Sequence, residues 1–347
     1  MITNIQSKSD KSQKIIDRHY YITQRKPLAN LAVISYTLAA YICGINLLFL
    51  SSLILNLTGV FLIIHSLAYS AYLTHEFMHG TIFKNRRWNS IFGNIMLWIN
   101  GGCYNGYEAL TLQHIAHHID RVDVFTFEPV PKLQQLPQIV RRTILALEWL
   151  YFPIMGFWSR WHSVFSPFWN PERSNEKTRV VGIFLLRMGI FILMGAISFK
   201  ALLLYFVAYV GMITLLRWAD AFQHTYEGFP PGTKLPKRDR AHEEKHTYST
   251  LLSHSYPWLN VLLLNFSYHN AHHTLMKCPW HSLPQLNREI EQQSNVRYVS
   301  LKEQLVNYHR FRLTRFILGQ GHSIDEKQQP TFEKFYGAHD VSFLFLY

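Results

Sequence analysis

Three short histidine-rich stretches are the residues of this sequence best suited to metal chemistry. HEFMH at 75–79 places two histidines four residues apart, whereas HIAHH at 114–118 and HNAHH at 269–273 share the spacing H-x-x-H-H. Residues three and four positions apart lie on one face of a helix, so each stretch can point its imidazoles in one direction. The candidate ligands are His75, His79, His114, His117, His118, His269, His272 and His273.

A metal explains eight converging imidazoles better than a structural role does. Buried neutral imidazoles are costly unless their ring nitrogens have partners, and a divalent metal supplies such partners. Ligation by histidine alone suits zinc, copper, iron or nickel. A four-ligand site would leave half of the candidates unused, so the number of histidines predicts two metal ions.

His224 is a ninth candidate ligand, and neighbouring acidic side chains could support the imidazoles. It lies in WADAFQHTYE, just beyond an apolar run. Asp220 precedes it by one helical turn and could be a ligand, end a helix, or orient an imidazole from behind, the last being preferred. Glu76 and Asp120 adjoin candidate ligands and could either hydrogen-bond a second ring nitrogen or be solvated.

Other polar residues have weaker assignments. Asn265 precedes the third stretch by four residues and is a candidate for orienting its ligands. His65 lies about 15 Å along a helix from His75, and a functional role or a hydrogen bond between helices explains it equally well. The remaining histidines are scattered in polar or terminal segments and are expected to be structural: His19, His162, His242, His246, His254, His281, His309, His322 and His339.

Two long apolar runs are able to position these stretches at a membrane. No Asp, Glu, Lys or Arg occurs from 27 to 74, and the run from 180 to 216 contains only Arg187 and Lys200. Each run has room for two spans of roughly 20 residues. We predict four transmembrane helices in two hairpins, at about 29–50, 55–79, 180–199 and 201–222.

Basic residues beside these spans set the predicted orientation. Lys and Arg precede the first and third spans and follow the second and fourth, whereas the hairpin turns carry at most Lys200. Because Lys and Arg are retained in the cytoplasm, both termini and segments 80–179 and 223–347 should be cytoplasmic. The net charge of +12 therefore indicates a membrane surface and not nucleic acid.

The expected fold is a single all-α integral-membrane domain over residues 1–347, with a cytoplasmic helical cap that carries the histidine stretches. Segment 227–246 is polar and rich in Pro and Gly, which favours a solvated connection, and 298–318 has helical periodicity. Several apolar pieces are too short to span and fit helices at the membrane interface: 90–99, 143–158 and 257–268.

HEFMH, HIAHH and HNAHH, with the two hairpins, resemble the integral-membrane fatty acid desaturase and hydroxylase superfamily over roughly residues 28–290. The resemblance implies two Fe²⁺ ions, O₂ as co-substrate, and the histidines of the three boxes as ligands at the cytoplasmic face. In animal stearoyl-CoA desaturases a histidine after the fourth span is a further ligand, preceded four positions earlier by an asparagine. His224 matches the histidine, and Asp220 replaces the asparagine.

The implied reaction is the introduction of a C=C bond into a lipid acyl chain, carried as a glycerolipid or an acyl-CoA, with no catalytic side chain beyond the metal ligands. A His-Pro-Gly-Gly stretch typical of a fused cytochrome b5 domain does not occur, so a separate ferredoxin or cytochrome b5 is expected to supply electrons. The expected location is a bacterial inner membrane or the endoplasmic reticulum.

Three other functions stay open at this point. The last box, followed by Pro-Trp and SLP at 282–284, also resembles carotenoid ketolases, so a lipid hydroxylase or ketolase is the first alternative. Oxidative decarboxylation of a fatty acid is the second. A membrane metal transporter is remote, because transporters place ionisable residues near the bilayer midplane, whereas these boxes lie at helix ends.

Overall fold

Fifteen α-helices and two strands of two residues each are found in the described parts of the chain. The computed structural model describes residues 16–124, 129–230, 232–293, 296–324 and 331–340, so the chain ends predicted to be cytoplasmic lie outside the described residues. The helices are α1 Arg18–Thr23, α2 Pro27–Leu48, α3 Leu53–His79, α4 Arg86–Asn100, α5 Tyr107–Asp120, α6 Pro129–Gln135, α7 Gln138–Trp149, α8 Ile154–Phe165, α9 Lys177–Ile197, α10 Phe199–Asp220, α11 Arg240–His246, α12 His269–Thr274, α13 Leu283–Glu291, α14 Leu301–Arg310 and α15 Thr314–Leu318; the strands are β1 Asp123–Val124 and β2 Gly228–Phe229.

Among the described residues, four helical segments are long and apolar enough to cross a membrane, as predicted. They are α2, α3, α10 and the segment Pro171–Ile197, which joins a 3₁₀ turn to α9. Their bounds differ from the predicted ones by about two residues, apart from this earlier start of the third segment. Leu185, Ile192 and Leu193 on α9 are exposed, as expected of side chains that face lipid. The orientation of the four segments stays a prediction.

Helices α2 and α3 pack closely through a pair of glycines. A Cβ at Gly59 would lie 2.8 Å from the carbonyl oxygen of Gly44 and 2.9 Å from the Cβ of Leu47, so no larger residue fits without movement. Small residues allow such close approach between membrane helices. At the end of α2, the Asn56 side chain donates to the Leu47 carbonyl at 2.8 Å, which satisfies one of the acceptors that a helix end leaves unpaired.

The second half of helix α3 lies in the centre of the protein. Every residue from 66 to 79 is buried, between α2, α4 and α10. The helix ends at Gly80, whose left-handed conformation (φ 68°) places its N–H on the carbonyl of Phe77, a common use of glycine after a helix. The last turn of α3, which carries HEFMH, is therefore held in the protein interior.

The apolar pieces that are too short to span a membrane form short helices and a 3₁₀ turn. The predicted segment 90–99 lies in α4, whereas 143–158 is divided by Pro153 into α7 and α8. Segment 257–268 begins with a 3₁₀ turn at Pro257–Leu263. Exposed Trp88 and Trp149 suit an interfacial position for these helices.

Segment 227–246 is more ordered than the predicted solvated connection. Strand β2 pairs in parallel with β1, with Asp123 opposite Gly228, and the last seven residues form α11, which Asp239 caps by accepting from the His242 N–H at 2.9 Å. The described residues of the segment are nevertheless mostly exposed, in agreement with the prediction, and its Pro and Gly residues occur only in the first half. Segment 298–318 is divided between α14 and α15.

Candidate metal centre

The first group of imidazoles lies where the end of α3 meets α5 and α12. His75 and His79 occupy the last turn of α3, His114 and His118 share one face of α5, and His272 comes from α12. All five are buried, and one ligand atom of each lies within 4.8 Å of the others. These five residues are brought together from positions almost 200 residues apart.

Nitrogen contacts within this first group are too many to be ordinary hydrogen bonds. The Nε2 atom of His114 lies 2.9 Å from that of His79 and 3.2 Å from that of His118, and the Nε2 atom of His272 lies 3.0 Å from those of His118 and His75. A neutral imidazole Nε2 is either one donor or one acceptor. At most two of the four contacts can then be hydrogen bonds, so a shared cation satisfies these atoms better.

The second group is formed by His117, His224 and His273, with ligand atoms again within 4.8 Å of one another. His269 adjoins it, because its Nε2 lies 2.7 Å from the Nε2 of His224. The group touches the first one through the rings of His118 and His273, whose centroids are 4.2 Å apart. All nine predicted ligands thus lie in two adjoining groups.

Both H-x-x-H-H boxes are divided between the two groups. On α5, His114 and His118 are four residues apart and face the first group, whereas His117 faces the second. On α12, His272 faces the first group and its neighbour His273 faces the second. Successive residues of a helix point about 100° apart, so one short helix can serve two centres.

Carboxylates hold the second ring nitrogen of two imidazoles and lie near that of a third. The Nδ1–H of His117 donates to Asp123 at 2.9 Å, and that of His273 donates to Glu243 at 3.1 Å. Glu76 Oε1 lies 3.5 Å from His75 Nδ1. A proton fixed on Nδ1 leaves the Nε2 lone pair available to a metal, and such partners are usual behind metal-bound histidines.

The side chains predicted to support the ligands differ in whether they lie against an imidazole. Glu76 is buried beside His75 and accepts from the Thr81 hydroxyl at 2.7 Å and the Trp280 N–H at 3.1 Å. Asp120 only ends α5, and the carboxylate on His117 belongs to Asp123, three residues further on. The sequence left Asp120 open between supporting an imidazole and being solvated, and its partly exposed side chain agrees with the second possibility.

Asn265 and Asp220, the other two side chains predicted to support the ligands, are both buried. Asn265 adopts a left-handed conformation (φ 57°), and its amide donates to the Trp280 carbonyl at 3.1 Å, which fixes the chain after α12. Asp220 is buried at the end of α10 and lines, together with His224, a cavity of about 180 Å³.

His65 is explained by contacts between helices. Its Nδ1 lies 2.6 Å from the Tyr36 hydroxyl of α2, and its Nε2 lies 3.1 Å from the Leu262 carbonyl. His65 therefore joins α2, α3 and the 3₁₀ turn Pro257–Leu263, and it lies outside both histidine groups. Two functional partners were missed from the sequence, Asp123 and Glu243, because neither stands beside a box.

Burial keeps six of the imidazoles outside the candidate spans neutral. It lowers the pKa of His272 to about 3, and it lowers the pKa of five others well below the usual range, with neighbouring imidazoles adding to the effect. Neutral imidazoles bind a cation without first losing a proton. The five others are His114, His118, His224, His269 and His273.

The donor set fits two divalent transition-metal ions. Nitrogen ligands from neutral imidazoles suit iron, and the carboxylates stand behind the rings and do not bridge between them. Within the described residues, the buried Nε2 of His273 and the buried Nδ1 atoms of His79 and His118 have no hydrogen-bond partner. A ligated metal would satisfy the Nε2 atom, which otherwise carries a desolvation cost.

The sequence profile of the family described as Fatty acid desaturase matches residues 51–304, which include all nine histidines and three of the four candidate spans. This chain belongs to the fatty acid desaturase family. Membership of the desaturase family implies an oxidoreductase of lipid metabolism, and the family is a di-iron one, in agreement with the two histidine groups. No curated protein matches the chain in sequence.

Proposed function

We propose that this protein is an oxygen-dependent, di-iron membrane desaturase that introduces a C=C bond into the acyl chain of a lipid or an acyl-CoA. The observation that carries the proposal is the convergence of nine buried imidazoles in two adjoining groups at the end of a membrane-length helix. Membership of the desaturase family supports iron as the metal.

The two groups divide the nine ligands between two ions. One ion would be held by His75, His79, His114, His118 and His272, and the other by His117, His224, His269 and His273. When bound, the ion pair supplies the activation of O₂ that removal of hydrogen from an unactivated methylene pair requires. In the balanced reaction, one O₂, two electrons and two protons combine with two substrate hydrogens to give two waters.

The protein's own side chains orient the ligands and exclude water. Asp123 and Glu243 hold the Nδ1 protons of His117 and His273, so their Nε2 atoms face the interior. On the other side, the Phe266 ring lies 4.9 Å from that of His75 and 5.4 Å from that of His269. This buried apolar ring therefore covers one side of these imidazoles.

Product analysis tests the proposal directly. Lipids from a host that expresses the protein should contain a new unsaturated acyl chain on gas chromatography with mass spectrometry. The His272→Ala substitution should abolish this product. His254 is an exposed histidine outside both groups, so the control His254→Ala should still give the product. A hydroxylated or keto product, or a terminal alkene, would show oxygen insertion or decarboxylation in place of desaturation. Purified protein without iron would favour a metal transporter.

We also propose that both ends of the chain and the histidine groups lie on the cytoplasmic side of a bacterial inner membrane or the endoplasmic reticulum. Support comes from the Lys and Arg residues beside the spans. Fluorescent-protein fusions to each end should be fluorescent in the bacterial cytoplasm, and a dark fusion that is nevertheless expressed would contradict this orientation.

A further inference from the structure

A chain of adjacent rings connects the second histidine group with the protein surface. Tyr226 is buried, with 1% of its surface exposed, and stacks on His224 at 4.2 Å between centroids and 23° between planes. Its ring also lies 5.3 Å from that of His117. On the outer side, Tyr226 is nearly parallel to His242 at 6.1 Å, and His242 contacts His246 at 4.3 Å. Both outer histidines are partly exposed.

The outer rings line a groove of about 510 Å³, which we call the basic groove. Among its described lining residues, Glu227 is the only carboxylate, and it forms an ion pair with Arg238. All of these residues lie outside the four candidate spans. Two of its side chains belong to the basic residues Arg238 and Lys245, and three are the imidazoles of His242, His246 and His322.

The segment beside the groove adds positive charge. Exposed Lys234 and Lys237 precede α11, while the acidic residues of this stretch are engaged. Asp239 caps the helix by accepting from the His242 N–H, and both glutamates of α11 form ion pairs. Glu243 Oε2 lies 3.2 Å from Arg121 Nε, and Glu244 pairs with Arg240 on its own helix at 3.0 Å. An acidic partner would therefore be attracted to this face, since complementary charges steer association and raise its rate.

We propose that an acidic one-electron carrier protein docks on the basic groove and that Tyr226 bridges it to the second histidine group. This inference rests on the proposed function, in which each turnover requires two electrons from outside the protein. The ligands are buried, so the carrier's own redox group cannot touch them, and the rate of electron transfer falls steeply with distance. The ring series is a short route of adjacent aromatic rings. Each of two carrier molecules would lose one electron, and the two ions, when bound, would supply the site that takes up both electrons.

Charge reversal tests the docking. The probe is a plant-type ferredoxin, an acidic one-electron carrier, added in its oxidised form to the purified enzyme in lipid nanodiscs. Lys237→Glu combined with Lys245→Glu should weaken its Kd about tenfold at low ionic strength, and high salt should remove most of this difference. The matched double variant Lys84→Glu and Arg87→Glu, which reverses two charges outside the groove lining, should bind as the unchanged protein does.

Substitution of the bridge tests the route. Reduced ferredoxin is mixed anaerobically with oxidised enzyme, and its oxidation is followed by absorbance. Tyr226→Leu should slow the transfer at least tenfold at an unchanged ferredoxin Kd, whereas Tyr226→Phe, which retains the ring, should transfer electrons almost normally. Equal iron content and equal reduction by dithionite in both variants separate a lost route from a damaged centre.

A single turnover with dithionite-reduced enzyme and O₂ separates the two proposals. If this reaction gives no desaturated lipid, the proposed function fails and the inference falls with it. If it does give product, the inference is overturned by a groove variant that binds ferredoxin normally, or by Tyr226→Leu protein that is reduced at the normal rate. A groove variant that changes only the KM for an acyl-CoA would assign the groove to the phosphates of the acyl carrier, which also overturns it.

Discussion

Glu243 offers a sharp test of how the second histidine group is held, because its two oxygens serve two partners. Oε1 accepts from the Nδ1–H of His273 at 3.1 Å, and Oε2 lies 3.2 Å from Arg121 Nε. In Glu243→Gln, one carboxylate oxygen becomes an NH₂ group that cannot accept from either. The remaining oxygen can serve only one donor, so either His273 loses its orientation or Arg121 loses its partner.

The expected magnitude follows from the role of such partners behind metal ligands. Their loss typically costs about 10–100-fold in metal affinity, which corresponds to about 1.4–2.7 kcal/mol of binding free energy. The matched control is Glu244→Gln on the same helix. Its carboxylate pairs with Arg240, both side chains are about half exposed, and such a pair contributes only about 0.3–0.5 kcal/mol.

The assay is competition for iron. Purified variants are equilibrated anaerobically with a graded series of chelator concentrations, and the retained iron is measured by mass spectrometry. Glu243→Gln should release one of two ions at a chelator concentration 10–100-fold lower than the control does. The reasoning is refuted if both variants retain iron equally. It is also refuted if Glu243→Gln lowers only the melting temperature of metal-free protein, because the carboxylate would then support the fold and not the ligand.

Three further predictions concern ligation and packing. His272→Ala removes a ligand of the first group, so the iron content should fall from two ions towards one, and chelator should lower the melting temperature less than in the unchanged protein, because less bound metal stabilises it. Gly59→Ala forces a Cβ to within 2.8 Å of a backbone oxygen and should lower the free energy of unfolding, measured with urea or heat in detergent, by about 1–3 kcal/mol. The control Gly182→Ala on α9, where a Cβ meets nothing within 4 Å, should leave the free energy of unfolding unchanged. Arg217→Met leaves the buried Glu148 without the ion-pair partner that lies 3.1 Å away and should lower the free energy of unfolding by about 3–5 kcal/mol. The double variant Arg217→Met with Glu148→Leu should regain most of that stability. Additive losses from the two changes would contradict the pairing.

The spans and the clustering of the nine histidines could be predicted because their signals are local. A membrane helix needs a run of apolar residues, and helical spacing alone shows that His114 and His118 share a face. His224 could be included because it follows an apolar run directly. What spacing cannot give is which histidines from different boxes meet, because that depends on how α3, α5 and α12 are packed.

The supporting carboxylates could not be predicted for the same reason. Glu243 lies 30 residues from the imidazole it holds, in a segment whose Pro and Gly content indicated a solvated connection. Asp123 was closer, six residues after His117, yet Asp120 stood nearer to the box. The chain turns between them, at Arg121 with φ 58°, and this reversal brings the later aspartate back to the ring.

The division of α5 and α12 between both histidine groups couples the loading of the two ions. An ion in the first group fixes His118 and His272, and through their helices it fixes the neighbouring His117 and His273 of the second group. The ordering entropy of those side chains is then lost only once, at the first binding step. Iron should consequently be taken up in a cooperative manner, with little protein at intermediate titration points holding a single ion.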